Sequence, residues 1–294
     1  MSRIHDILAK AERDGTVRRT HTTMANDPVS SSVGLRAEPP QETPRPAAAP
    51  ARTAAAQDAG ARAARVVEAG HLSPLLVAAL APHAVTAEQY RTLRTRIMLS
   101  EDGQPRRVLL ITSPAKGDGK SVTAANLALT MAQEFNRRVV LVDADMREPG
   151  VHLLLGLPPT PGLADVLTGS VTLDDAVVEL PDFNLAVLPA GIAPERPSEL
   201  LGSTAMRRTL DALRTRFDRV LVDMPPVVPL ADVGVLAPQV DGVVLVVRAG
   251  ATQKPEIERA LSVFDESRIV GLVLNGTGEP GTGYTPYAAQ APHA

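Results

Sequence analysis

The sequence predicts an α/β fold, a doubly wound and mostly parallel sheet with helices on both faces, behind a disordered N-terminal extension. Three observations carry that expectation. Six short runs are almost continuously apolar: RVLLIT (107–112), RVVLVDAD (138–145), NLAVLPAG (184–191), RVLVDMP (219–225), GVVLVVRAG (242–250) and IVGLVLN (269–275). Strands apolar along their whole length are buried on both faces, as in parallel sheets covered by helices. Helical patterns separate most of the runs, over 120–135, 162–180 (broken), 203–217, 230–238 and 254–266. Strands that alternate with helices make a layered α/β domain. The first run also passes through a glycine-bearing turn straight into a helix, in LLITSPAKGDGKSVTAANLAL (109–129).

Composition sets outer limits. The chain has 294 residues, enough for one large domain with an extension. Hydrophobic residues are 44% and aromatics only 2%, so the core must be built from Leu, Val, Ile and Ala. A net charge of −3 does not point to nucleic acid, which usually calls for a basic face, and nucleic acid is not an expected partner. The absence of cysteine excludes disulfides, thiol catalysis and cysteine metal sites. The six histidines are scattered without metal-ligand spacing. No apolar run approaches 18 residues and MSRIHDILAKAERDG is charged throughout, so a cytoplasmic protein is expected.

The elements follow in order. Residues 1–15 form a short helix with Ile4, Ile7, Leu8 and Ala11 on one face and Gly15 as its stop. Residues 16–72, rich in Pro and Ala, are a linker without periodic apolar pattern. The main domain is expected over 73–275. Ser73 and Pro74 offer a helix start before LLVAAL, as N-cap and first helical residue. Thr86 and Gln89 read as a capping box for the next helix, in which Tyr90, Leu93 and Ile97 share the packed face. Residues 276–294, rich in Gly, Pro and Thr, are a flexible tail carrying Tyr284 and Tyr287.

The turn after the first strand is a candidate phosphate loop. The pattern G-x-x-x-x-G-K-[ST] is met at Gly119-Lys120-Ser121, with Pro114 where its first glycine belongs. Amides facing an anion at a helix start make a phosphate cradle, here Ala115, Lys116, Gly117, Asp118, Gly119, Lys120, Ser121 and Val122. Pro114 removes one N–H at the loop entrance and leaves the later amides intact. Gly117 and Gly119 allow backbone that a Cβ would obstruct. Lys120 can reach the terminal phosphates and Ser121 a Mg²⁺ ion. The next strand ends in Asp143-x-Asp145-x-Arg147, two carboxylates projecting the same way from an extended end. Another ends in Asp223, where P-loop NTPases place a magnesium-linked aspartate. Together these residues predict a phosphoryl-transfer site for ATP with Mg²⁺.

With these motifs the sequence resembles the bacterial tyrosine kinases, cytoplasmic modules of exopolysaccharide and capsule assembly, over roughly 84–275. SPAKGDGKS matches the family's Walker A loop, which often lacks the first glycine; LVDADMREP matches its Walker A′ motif and VLVDMPP its Walker B motif. HLLLGLP, PGLADVLTG, PSELL and VDGVVLVVRAG read like its connecting segments. EQYRTLRTRI matches an E-x-x-R-x-x-R motif of ring assembly, formed here by Glu88, Arg91 and Arg94. As exposed side chains these would add little stability, which favours an intersubunit role.

The resemblance implies tyrosine autophosphorylation. Lys120 would hold the ATP phosphates, Ser121 and Asp143 would organise Mg²⁺ with Asp223 acting through water, and Asp143 or Asp145 would take the tyrosine proton. The acceptors would be Tyr284 and Tyr287, presented to a neighbouring subunit of a ring-like homo-oligomer. A separate transmembrane co-polymerase would recruit the protein to the inner membrane face and activate it. Two other readings are a non-catalytic ATP-binding regulator and a positioning or partition ATPase. The partition relatives carry a second lysine where this chain has Ala115, one residue before Lys116.

Overall fold

A computed structural model describes residues 65–66, 71–101, 105–134, 137–228 and 232–277. The N-terminal helix expected over 1–15, most of the linker, and Tyr284 and Tyr287 lie outside these residues.

The strands are β1 Arg65–Val66, β2 Val108–Thr112, β3 Val139–Asp143, β4 Val178–Leu180, β5 Leu185–Leu188, β6 Arg219–Asp223, β7 Gly242–Arg248 and β8 Ile269–Asn275. They form one sheet in the order β1-β4-β5-β3-β6-β2-β7-β8. Every pairing is parallel except that of β4 with β5. The mostly parallel sheet expected from the apolar runs is therefore present.

The period of two along each strand sorts the core into two layers. Val108, Leu110, Val140, Val142, Val220, Val222, Val243 and Leu245 face one side. There they meet α5 (Leu163–Leu167), α6 (Leu173–Ala176), α7 (Pro197–Leu201), α8 (Thr204–Arg216), α9 (Asp232–Leu236) and α10 (Lys254–Leu261). Leu109, Ile111, Val139, Leu141, Leu221, Val244 and Val246 face the other side. That layer is covered by α1 (Val77–Leu80), α2 (Val85–Leu99), α3 (Lys120–Ala132) and α4 (Val151–Leu155).

Helix α3 is buried at every position from Thr123 to Ala132. A helix apolar all round belongs inside, and its Ala-rich sequence lets sheet and outer helices approach closely. Its one buried amide side chain, Asn126, accepts from the Ala78 N–H at 2.9 Å and donates to the Leu75 and Val122 carbonyls, tying α1 down. Helix α2 is fastened by charge. Glu101, just beyond its end, grips the buried Arg219 guanidinium with both carboxylate oxygens.

Several local expectations are corrected. Arg65–Val66 lies in the stretch read as linker, yet pairs with Val178–Glu179. The segment read as a broken helix ends in β4, antiparallel to β5. Helix α2 begins one residue before Thr86, with Ala84 at its cap and no side-chain cap hydrogen bond. Helix α1 begins at Val77, so Pro74 precedes it, while the Ser73 hydroxyl accepts from the Leu75 N–H. Arg91 and Arg94 are half-buried rather than exposed. Arg91 pairs with Glu88 at 2.6 Å, and Arg94 donates to the Thr130 carbonyl at 2.9 Å and faces Glu134 at 3.4 Å.

Gly162 sits where two backbones touch. A Cβ there would lie 2.3 Å from Gly191 N and 2.4 Å from the Pro189 carbonyl oxygen. Both contacts are main chain, so relief requires moving the loop after β5. Gly162→Ala is expected to cost about 1–3 kcal/mol. Gly271→Ala, with nothing within 4 Å, should change stability by less than about 0.5 kcal/mol. Thermal denaturation of the two variants checks the contrast; equal midpoints would contradict it.

Candidate functional site

The site lies at the carboxyl end of the central strands, where a doubly wound sheet opens a crevice. Strands β2, β3 and β6 finish level with one another. Asp143 pairs in register with Asp223, and Ile111 with Asp223 on the other side. Three consecutive strand exits therefore deliver the phosphate loop, the Asp143–Asp145 pair and Asp223 to one place.

The loop between β2 and α3 is closed on itself and braced from outside. The Asp118 side chain turns inward, accepting from the Ala115 N–H at 3.0 Å and the Thr252 hydroxyl at 2.8 Å. The Ala115 amide is thus committed within the loop. The amides from Lys116 to Val122 donate to no backbone carbonyl of the described residues, which leaves them for an anion. Pro114 lacks an N–H, and its carbonyl accepts from Val228 N at 3.4 Å.

Gly119 holds φ +92°, and a Cβ on it would lie 2.0 Å from the Asn275 amide nitrogen. That nitrogen donates to the Asp118 carbonyl at 2.9 Å, and Arg248 donates to the Gly117 carbonyl at 3.3 Å. Thr252, Arg248 and Asn275 were not picked out from the sequence. The signal for Asn275 was its place at the carboxyl end of a strand, the edge at which the other site residues stand.

The ammonium of Lys120, the first residue of α3, faces the acids. Its Nζ lies 2.8 Å from Asp145 Oδ2, 3.7 Å from Asp223 Oδ2, and 2.9 Å from the Ser121 hydroxyl. Asp143 is held by backbone: its Oδ1 accepts from Asp145 N, and its Oδ2 from Gly150 N and Val151 N. Asp145 Oδ1 accepts from Glu148 N at 3.0 Å, which leaves Oδ2 to the lysine. Lys116 points away, paired on the surface with Glu148 at 2.6 Å.

Three buried carboxylates surround one ammonium, and the imbalance shows in their protonation. Burial, reinforced by the Asp223 charge, pushes the Asp143 carboxyl up to about 8. Burial raises Asp223 to about 6 against the opposing pull of Lys120. Burial alone would lower Lys120, but Asp223 and Asp145 outweigh it and hold the ammonium above its ordinary range. Among the described residues neither oxygen of buried Asp223 has a hydrogen-bond partner at close range; Lys120 Nζ stands at 3.7 Å. Buried acceptors left in that condition fit a second cation or its water shell.

Glu88, Arg91 and Arg94 are not part of this cluster; they lie on α2. Among the described residues no helix is long and apolar enough to cross a membrane.

Comparison with known proteins agrees with the geometry. A family model described as an AAA domain matches residues 107–257. Tyrosine-protein kinase YwqD of Bacillus subtilis (strain 168) is 36% identical over 203 residues, 68% of this chain and 85% of that protein. The BceF tyrosine kinase domain is 35% identical, with a TM-score of 0.62 over 68% of this chain and 81% of its own. The kinase domain of the Escherichia coli tyrosine kinase ETK is 28% identical, with a TM-score of 0.65 over 68% of this chain and 79% of its own. With the phosphate loop, the paired strand-end aspartates and the buried lysine in the places that the sequence motifs require, the chain belongs to the family of bacterial tyrosine kinases.

Proposed function

We propose that the protein is an ATP-dependent tyrosine autokinase of an exopolysaccharide or capsule assembly system, working with a separate membrane co-polymerase. The observation that carries this is the convergence of Lys120 and three strand-end acids at the mouth of a loop with free amides. Phosphoryl transfer requires positioning and charge neutralisation more than covalent chemistry, and this cluster supplies both.

The loop amides from Lys116 to Val122 and the positive end of α3 bind the phosphates. Lys120 exchanges its carboxylate partners for phosphate oxygens and neutralises the charge that develops there. Ser121, Asp143 and Asp223 fit Mg²⁺, which prefers hard oxygen ligands and usually keeps several of its waters. When bound, that ion would supply charge neutralisation for the phosphates. Asp143, fixed by three amides, is a rigid support. Asp145 takes the tyrosine proton, since its Oδ2 already faces the phosphate side beside Lys120.

The acceptors are Tyr284 and Tyr287. From Asn275 an extended chain reaches about 30 Å by Tyr284, enough to enter a neighbouring subunit of a ring. Glu88, Arg91 and Arg94 contribute to that assembly, and Arg94 also couples α2 to α3 through the Thr130 carbonyl.

Three outcomes test this reading. Lys120→Met should lower autophosphorylation by about 10²–10³-fold, the cost of losing one donor to developing charge, read by phosphotyrosine appearance with Mg²⁺ and ATP. Tyr284→Phe combined with Tyr287→Phe should remove most phosphotyrosine while ATP binding stays within twofold; full phosphorylation in that variant would move the acceptor elsewhere.

The third concerns pH. Asp143 and Asp223 titrate near 8 and 6 in the folded chain, against about 4 unfolded. The folded state therefore binds these protons more tightly. Their contribution to stability is full below about pH 4 and is lost as pH rises through 6 and then 8. Ligand-free protein should melt at lower temperature at pH 8 than at pH 6, and Mg²⁺ with ADP should raise the midpoint more at pH 8. Calorimetry across that range checks both, and a ligand-free midpoint that climbs with pH contradicts the assignment.

A further inference from the structure

Arg147 stands two residues beyond Asp145, and the mechanism above leaves it without a task. Its guanidinium donates to Asp232 through Nε at 2.6 Å and Nη2 at 3.2 Å, and to the Ser198 hydroxyl oxygen at 3.3 Å. The Ser198 hydroxyl in turn donates to Asp232 Oδ1. The Asp232 side chain is 1% exposed and that of Arg147 39% exposed.

We propose that Asp232 and Ser198 are positioning residues for phosphoryl transfer, acting through Arg147 to hold Asp145 against Lys120. This rests on the kinase reading of the site.

Residues 143–151 turn around two carboxylates. Asp143 gathers the amides of Asp145, Gly150 and Val151, and Asp145 gathers that of Glu148. These bonds shape the turn from within, and others attach it to its surroundings: Ala144 N donates to the Asp223 carbonyl at 2.9 Å, and Glu148 pairs with Lys116 of the phosphate loop. The Arg147 side chain makes the attachment on the side facing α7 and α9. Ser198 is in the first turn of α7 and Asp232 is the first residue of α9. The two helices are themselves pressed together, since a Cβ on Gly202 would lie 2.5 Å from a Val235 methyl. Helix α9 also belongs to the segment that follows β6, whose last residue is Asp223. The Arg147–Asp232 pair is thus a strut between the chain leaving β3 and the chain leaving β6, the two strands that bring the acids.

A two-point arginine–carboxylate contact fixes direction as well as distance, which a single ammonium does not. The carboxylate is buried and the arginine partly solvated, so the rigid end of the strut is on the helix side. A reacting group must be held to within about half an ångström, and a displacement near 1 Å can cost about 10²-fold in rate.

The test uses the full chain with saturating Mg²⁺ and ATP, measuring phosphotyrosine formation and ATP hydrolysis together. Asp232→Asn keeps the shape and loses the charge; Arg147→Lys keeps the charge and loses the fork. Each should lower kcat by about 10–100-fold while KM for ATP stays within about twofold. The double variant should be no slower than the slower single, because both break one connection. Ser198→Ala should give a smaller loss in the same direction. Wild-type kcat in Arg147→Lys, a loss confined to KM, or multiplicative losses in the double variant would each overturn the strut. Arg147 is partly solvated, so its variant decides the matter even if Asp232→Asn does not fold. A wild type that hydrolyses ATP without forming phosphotyrosine would overturn the kinase reading alone, and hydrolysis would then report on the strut.

Discussion

The structure depends on one ammonium among three buried carboxylates. Lys120 lies within 3.7 Å of both Asp145 and Asp223, and Asp143 stands opposite Asp223 in the sheet. Burying unpaired charge is expensive, and here three negative groups share one positive partner. The fold tolerates this by dense local bonding, three amides on Asp143 and one on Asp145, and by a raised affinity for protons on Asp143 and Asp223. Burial and mutual repulsion make Asp143 and Asp223 hold protons more tightly than free carboxyls do, and a cation at the site would relieve the same repulsion. The site's tension and its chemistry have the same origin.

That tension explains how the surroundings are built. The lysine is the first residue of a helix buried along nearly its whole length, so it cannot drift with a surface element. Asn126, deep in the same helix, satisfies α1; Arg94 reaches the same helix from α2; Asp118 is held from the loop after β7. The phosphate loop is therefore the meeting point of segments far apart in sequence. Its left-handed glycines are flanked by side chains from the ends of β7 and β8, Arg248 at the Gly117 carbonyl and Asn275 beside Gly119.

Much of this was legible beforehand. Strands buried on both faces have a plain signature, and β2, β3, β6 and β7 carry it. The acids were legible because carboxylates directly after apolar strands in an α/β sheet have few places to go except its crevice. What escaped was short or relational. Arg65–Val66 is too short for periodicity to show, and Val178–Leu180 begins within DDAVVEL, which suits helix and strand equally. The start of α2 escaped because Thr86 and Gln89 have cap-like spacing, while the chain turns into the helix one residue earlier. The partners of Asp118, Arg147 and Gly119 depend on which strand ends lie side by side, and that order, β3-β6-β2-β7-β8, is a property of the folded sheet.

The contact between Asn275 and the phosphate loop has a consequence for where this domain stops. The asparagine is 157 residues from Asp118 in sequence, yet it occupies the space that a side chain on Gly119 would need. The two positions are sterically coupled: a Cβ on Gly119 would lie 2.0 Å from the Asn275 amide nitrogen. A fragment cut before Asn275 would keep every acid and the lysine but lose the wedge beneath the loop. The last strand thus supports the phosphate loop as directly as the strands that carry the acids support the lysine.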